Sequence, residues 1–124
     1  MRPVFLDTSG LVAMVNGGDA LHARARRLAA ELHRAGAAAV TTEWVLAEFL
    51  SMTSKRRLRR GGVKVHPAGT RSFDAGFDLY KSMGDKEWSL IDCASMVVCR
   101  VERVSGVFTD DHHFEQAGLR VLLR

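Results

Sequence analysis

Cysteine and proline are scarce in this chain, two of each among 124 residues. Cys93 and Cys99 stand six positions apart in what reads as one helix, so their side chains point in different directions and an internal disulfide is not expected. Two reduced thiols fit a cytosolic protein. Few prolines, with 47% hydrophobic and 26% charged residues, do not describe a disordered chain. No segment approaches the roughly 20 apolar residues needed to cross a bilayer. The apolar run after Met1 is broken by Asp7, short of a secretory core. The expectation is a cytoplasmic protein with no membrane association. No Gly-Lys-Ser/Thr occurs, which removes a P-loop, and Asp7-Thr8-Ser9 lacks the second aspartate of a phosphatase-type Asp-x-Asp motif. His112 and His113 beside two aspartates match no standard zinc spacing with Cys93 or Cys99. Internal repeats and low-complexity tracts are absent.

The length suffices for one domain with a real core, spanning residues 1–124. The net charge of +4, from 18 Lys+Arg against 14 Asp+Glu, favours a polyanionic partner only weakly. It tells more if acids gather in one site, because the remaining surface is then more basic than the total.

Pro3–Leu6 reads as a buried strand and Ser9–Val15 as a helical stretch stopped by Asn16-Gly17-Gly18. Asp19 caps a helix with Leu21, Ala25, Leu28, Ala29 and Leu32 at helical spacing. After Gly36, Ala37–Val40 is a second strand, and Thr41 or Thr42 caps a helix over about Glu43–Arg57 with Val45, Leu46, Phe49, Met52 and Thr53 inward. Val63–Val65 is a short strand in the least readable segment, Arg59–Gly69. Phe73, Phe77, Leu79, Tyr80 and Met83 mark another helix. Ser89 begins the next, with Leu90, Ile91, Ala94, Val97, Val98 and Val101 buried. Val107–Thr109 is a strand, Asp111–Ala117 a short helix and Arg120–Leu123 a last strand. Strands alternating with helices predict a parallel sheet covered on both faces.

Two strands run into acids: Val4-Phe5-Leu6 into Asp7, and Val107-Phe108-Thr109 into Asp110-Asp111. Open α/β sheets bind their ligands at such C-terminal strand tips. Each acid also has an ordinary structural explanation. Asp7 and Asp111 suit N-caps, and Ser89-Leu90-Ile91-Asp92 suits a capping box. Glu43 and Glu48, on one helix, border its apolar stripe on opposite sides, and periodicity does not choose between them. Together the aspartates of separate βα units would converge at one sheet end. Carboxylates held so close raise one another's pKa unless a hard cation joins them, and oxygen ligands suit Mg²⁺ or Mn²⁺. Such a metal activates water and stabilises phosphoryl charge, the chemistry of phosphodiester hydrolysis.

Asp7-Thr8-Ser9-Gly10-Leu11-Val12-Ala13, Val45-Leu46-Ala47-Glu48, Ser89-Leu90-Ile91-Asp92-Cys93-Ala94-Ser95, Phe108-Thr109-Asp110-Asp111-His112-His113-Phe114 and Gln116-Ala117-Gly118-Leu119 follow one another over nearly the whole chain. As an ordered set they resemble the PIN-domain ribonucleases, and more closely the VapC toxins of type II toxin–antitoxin systems. The resemblance implies a three-layer α/β/α sandwich around a central, mostly parallel sheet of four to five strands. It puts the family's catalytic acids on Asp7, Glu48, Asp92 and Asp111, with Asp7, Asp92 and Asp111 holding Mg²⁺ or Mn²⁺. Asp110 is a candidate to share or take the role of Asp111, and Thr8 and Thr109 match hydroxyl positions that steady the acids or the water. The chain departs from the family between Arg59 and Gly69, where it is shorter. The resemblance further implies an RNA substrate, an antitoxin partner that blocks the acidic cleft, and a homodimer, at whose interface Trp44 would lie. Lys55, Arg56, Arg57, Arg59 and Arg60 form a basic run suited either to a solvated helix end or to an RNA backbone. The competing expectation is a non-catalytic RNA- or protein-binding module on the same fold.

Overall fold

The computed structural model describes residues 2–53 and 61–124. In chain order the elements are β1 (Val4–Leu6), α1 (Thr8–Val15), α2 (His22–Arg34), β2 (Ala39–Thr42), α3 (Glu43–Met52), β3 (Val63–His66), α4 (Thr70–Ser82), α5 (Leu90–Glu102), β4 (Gly106–Phe108) and α6 (His112–Gln116). The four strands form one sheet in the order β3-β2-β1-β4, with every strand pair parallel. The expected last strand reduces to a single parallel bridge, Val107 to Val121.

Alternation along the strands sorts side chains to the two faces. Phe5, Val40 and Val107, all but inaccessible to solvent, join Val45, Cys93, Met96, Cys99 and Phe114 on one side. Val4 and Phe108 join Ala13, Ala25 and Leu123 on the other. Thus α5, α3 and α6 supply one cover and α1 and α2 the second. The result is the three-layer α/β/α arrangement. α4 packs outside α5, where Gly76 leaves so little room that a methyl group there would lie 3.0 Å from the Ala94 side chain.

Three expectations need correction. Val101 is 68% exposed, and Leu90, Ile91 and Val97 are only partly covered, whereas Cys93, Ser95, Met96 and Cys99 are buried. α5 lies between the sheet and α4, so it buries a broader and rotated face. Met52 is 63% exposed: the last turn of α3 passes the mouth of a cleft instead of the core. The second helix starts later than Asp19, whose Oδ1 accepts from the Leu21 N–H in a turn before it. The continuation of the third helix to Arg57, and the basic run Lys55, Arg56, Arg57, Arg59 and Arg60, lie outside the described residues.

Among the described residues no helix is long and apolar enough to cross a membrane.

Candidate metal centre at the sheet edge of strands one and four

From β1 the chain proceeds to β2 on one side, while β4 returns on the other. The crevice where strand order reverses is where such sheets accept ligands. Asp7 follows β1 there, and Thr109, Asp110 and Asp111 follow β4. Glu48 comes from the middle of α3 and Asp92 from the first turn of α5. The structure brings Asp7, Thr8, Ser9, Glu48, Asp92, Asp110 and Asp111 to the wall of one cleft of about 440 Å³.

The hydroxyls beneath the acids are linked. Thr109 Oγ1 donates to Asp7 Oδ2 at 2.8 Å and accepts from the Asp111 N–H at 3.1 Å. A hydroxyl has one proton, so Ser9 Oγ, 2.6 Å away, is the donor in the Ser9–Thr109 pair. Ser9 Oγ also accepts from the Asp110 N–H at 3.3 Å. Thr8 Oγ1 donates to Glu48 Oε1 at 2.5 Å. Glu43, the other glutamate of α3, instead accepts from the Ala68 N–H, which separates two residues that helical spacing left equivalent.

The capping explanations hold unevenly. Asp7 occupies the N-cap of α1 but makes no side-chain cap bond. Asp92 does complete a capping box: its N–H donates to Ser89 Oγ, and its Oδ2 accepts from the Ser89 N–H at 3.1 Å. Asp111 caps α6, with Oδ1 accepting from the His113 N–H at 2.9 Å. Both therefore serve the helix and the cleft together. The outcome is a division of labour within each carboxylate. One oxygen each of Asp7, Glu48, Asp92 and Asp111 is held by a protein donor. The second oxygens of Glu48, Asp92 and Asp111 accept no hydrogen bond from the described residues.

Asp7 is 5% exposed. Burial pushes its carboxyl up to about 7; the Thr109 hydroxyl and the Thr8 backbone oppose this, and the charges of Asp92 and Asp111 add to it. The Cys99 thiol below is also pushed up, by its burial and then by the Asp7 charge. Among the described residues, no Lys or Arg pairs with any of the cleft acids; the basic side chains in contact with them are His112, beside Asp111, and His113, beside Asp92 and Asp111. The ligand atoms of Asp111, His112 and His113 lie within 4.8 Å of one another, and the cleft around them is otherwise lined by carboxylate oxygens without a Lys or Arg partner among the described residues. Such an oxygen-rich set fits a hard divalent cation such as Mg²⁺ or Mn²⁺.

The PIN domain model matches residues 4–119 of this sequence. The chain belongs to the PIN domain family. No curated protein sequence matches it. Among solved structures, this PIN domain is similar to the crystal structure of Mycobacterium tuberculosis VapC20, described as a Sarcin-Ricin loop cleaving toxin. The TM-score is 0.78 with 24% sequence identity, over 94% of this chain and 95% of that one. At that identity the likeness speaks for the fold.

Two residues of the PIN domain cleft escape a reading of acids alone. Ser9 had a visible signal, a second hydroxyl directly after Asp7-Thr8. His113 donates its backbone N–H to the Asp111 cap, but its ring also sits against Asp92 and Asp111, with Nδ1 3.3 Å from an oxygen of each. That contact joins α5 to α6 and has no trace in local spacing.

Proposed function

We propose that this PIN domain is an Mg²⁺- or Mn²⁺-dependent endoribonuclease, the toxin of a VapBC-type toxin–antitoxin pair. The observation that carries the reading is the cleft itself. Asp7, Glu48, Asp92 and Asp111 come from four separate segments to line it, without a Lys or Arg partner among the described residues. A binding module has no need to keep so repulsive a cluster. Family membership and the likeness to a VapC toxin support the same reading.

Asp7, Asp92 and Asp111 would hold the cation, with Asp110 at the exposed rim able to add an oxygen. Bound there, Mg²⁺ or Mn²⁺ supplies positive charge to the scissile phosphate and acidifies water. Glu48, anchored through Oε1 by Thr8, keeps Oε2 free to orient or deprotonate the attacking water. Thr109 and Ser9 hold Asp7 and the start of the β4–α6 turn at fixed spacing. Water would attack the phosphorus as the P–O3′ bond breaks, with the proton lost by the water balanced by one gained on O3′, leaving the 5′-phosphate and 3′-hydroxyl that the family resemblance implies.

RNA is the substrate in this reading. The basic run from Lys55 to Arg60 begins three positions after Met52, which lines the cleft, and its charge suits the RNA backbone. An antitoxin would insert a cation, such as an arginine, among the acids. Pairing of two copies is supported by a row of rings at the surface, Trp44, Phe73, Phe77 and Tyr80, with centroids 5.8–6.4 Å apart. The pair would act in the cytoplasm.

The test is sequencing of RNA ends after incubation of ribosomal and total RNA with the wild type and with Asp7→Asn, in Mn²⁺ and in EDTA. New 5′-phosphate ends that need both Asp7 and the cation are expected. Full cleavage by Asp7→Asn, or in EDTA, would refute the assignment, and RNA binding without cleavage under every condition would favour the binding module.

A further inference from the structure

We infer that His113 is a positioning residue that clamps Asp92 and Asp111 together and sets which of their oxygens face the cleft. This rests on the metal-site reading above and goes beyond it to a side chain outside the acidic set. His113 is the second residue of α6, so its ring lies over the turn that Asp111 caps. Its Nδ1 donates to Asp92 Oδ2 at 3.3 Å and stands 3.3 Å from Asp111 Oδ1. Ionised carboxylate oxygens only accept, so the nitrogen between them is the one that carries the proton.

The two oxygens it touches are the ones already committed elsewhere. Asp92 Oδ2 also accepts from the Ser89 N–H, and Asp111 Oδ1 from the His113 N–H. The imidazole therefore reinforces a division that leaves Asp92 Oδ1 and Asp111 Oδ2 for a cation. It also adds a polar bridge between α5 and α6, whose apolar sides already share one core through Phe114 and Cys93, Met96 and Cys99. The ring is held in turn: its side chain is 19% exposed, and the His112 ring packs against it with centroids 4.5 Å apart. Hydrogen-bond partners of metal-ligating groups typically alter metal affinity 10–100-fold when removed.

Titration of the purified protein with Mn²⁺ alone and with Mg²⁺ alone, by calorimetry and by loss of the free-Mn²⁺ resonance, tests the inference alongside thermal melts. His113→Ala should weaken both cations alike, by roughly tenfold or more. His113→Asn, whose amide N–H can reach the place of Nδ1, should recover most of the affinity. This rescue comparison stands even if the alanine variant melts early, because His113→Leu supplies a second apolar control. Unchanged cation affinity in His113→Ala would overturn the clamp. So would failure of His113→Asn to rescue together with a selective loss of Mn²⁺, since the imidazole would then be a ligand. A wild type that binds neither cation would instead remove the metal-site reading itself.

Discussion

Thr109 Oγ1 donates a 2.8 Å hydrogen bond to Asp7 Oδ2, across a sequence separation of 102 residues. The same hydroxyl accepts from the Asp111 N–H, so one oxygen atom spaces the acids that follow β1 and β4. Thr109→Val keeps the shape and removes the donor. It should cost about 1–3 kcal/mol in denaturant unfolding, the usual cost of an orphaned buried group. Because the lost bond lowers the Asp7 pKa, the pH at which cleavage rises should move upward. Thr109→Ser should behave nearly as wild type. A valine variant with an unshifted pH profile would count against the link.

The sign of the Asp7 effect on stability is fixed by its direction. Its folded pKa, about 7, lies above the unfolded value of 3.8, so folding favours the protonated form. The stability associated with that protonation is fully present below about pH 4 and is lost as pH rises towards 7. Three units correspond to roughly 4 kcal/mol. In EDTA, Asp7→Asn should therefore be more stable than wild type at pH 8, with the advantage shrinking as pH falls to 5. Urea unfolding at the two values measures this; a constant difference would contradict it.

Cation binding should run the other way with pH, since the cation competes with the proton on Asp7. Saturating Mn²⁺ should raise the melting temperature, by the equivalent of about 2.7 kcal/mol at 100 times Kd. The rise should be larger at pH 8 than at pH 6, reverse with EDTA, and vanish in Asp7→Asn. Equal shifts in wild type and Asp7→Asn would place the ion elsewhere.

Gly10 is required by a close approach. A methyl group there would lie 2.1 Å from the Phe108 carbonyl oxygen, so α1 can touch the end of β4 only without a side chain. Gly10→Ala should destabilise by about 1–3 kcal/mol, as overpacking does. It should also reduce cleavage beyond the loss in folded fraction, because the displaced helix carries Thr8 and Ser9. Wild-type stability would show that the helix shifts freely.

The fold was legible where periodicity was strong. Alternation of strands and helices announced a parallel sheet covered on both sides, and the acids after β1 and β4 marked its ligand-binding end. Legibility failed where an element's environment has two sides. Cys93, Met96 and Cys99 bury one side of α5 against the sheet, and Ala94 buries another against α4, so a single stripe mis-assigned Val101. Met52 is apolar and at helical spacing yet borders the cleft. Arg120–Leu123 has strand-like composition, but only Val121 finds a ladder partner.

Sequence by itself determined the kinds of groups available: short apolar strands, aspartates at their tips and hydroxyls beside them. Propensity and capping act over a few residues, which is why these features can be read locally. Only the tertiary structure decided which groups meet. Glu48 enters the cleft and Glu43 turns to a loop, Thr109 reaches Asp7, and His113 reaches Asp92, because sheet order and helix packing bring together residues that no local pattern connects.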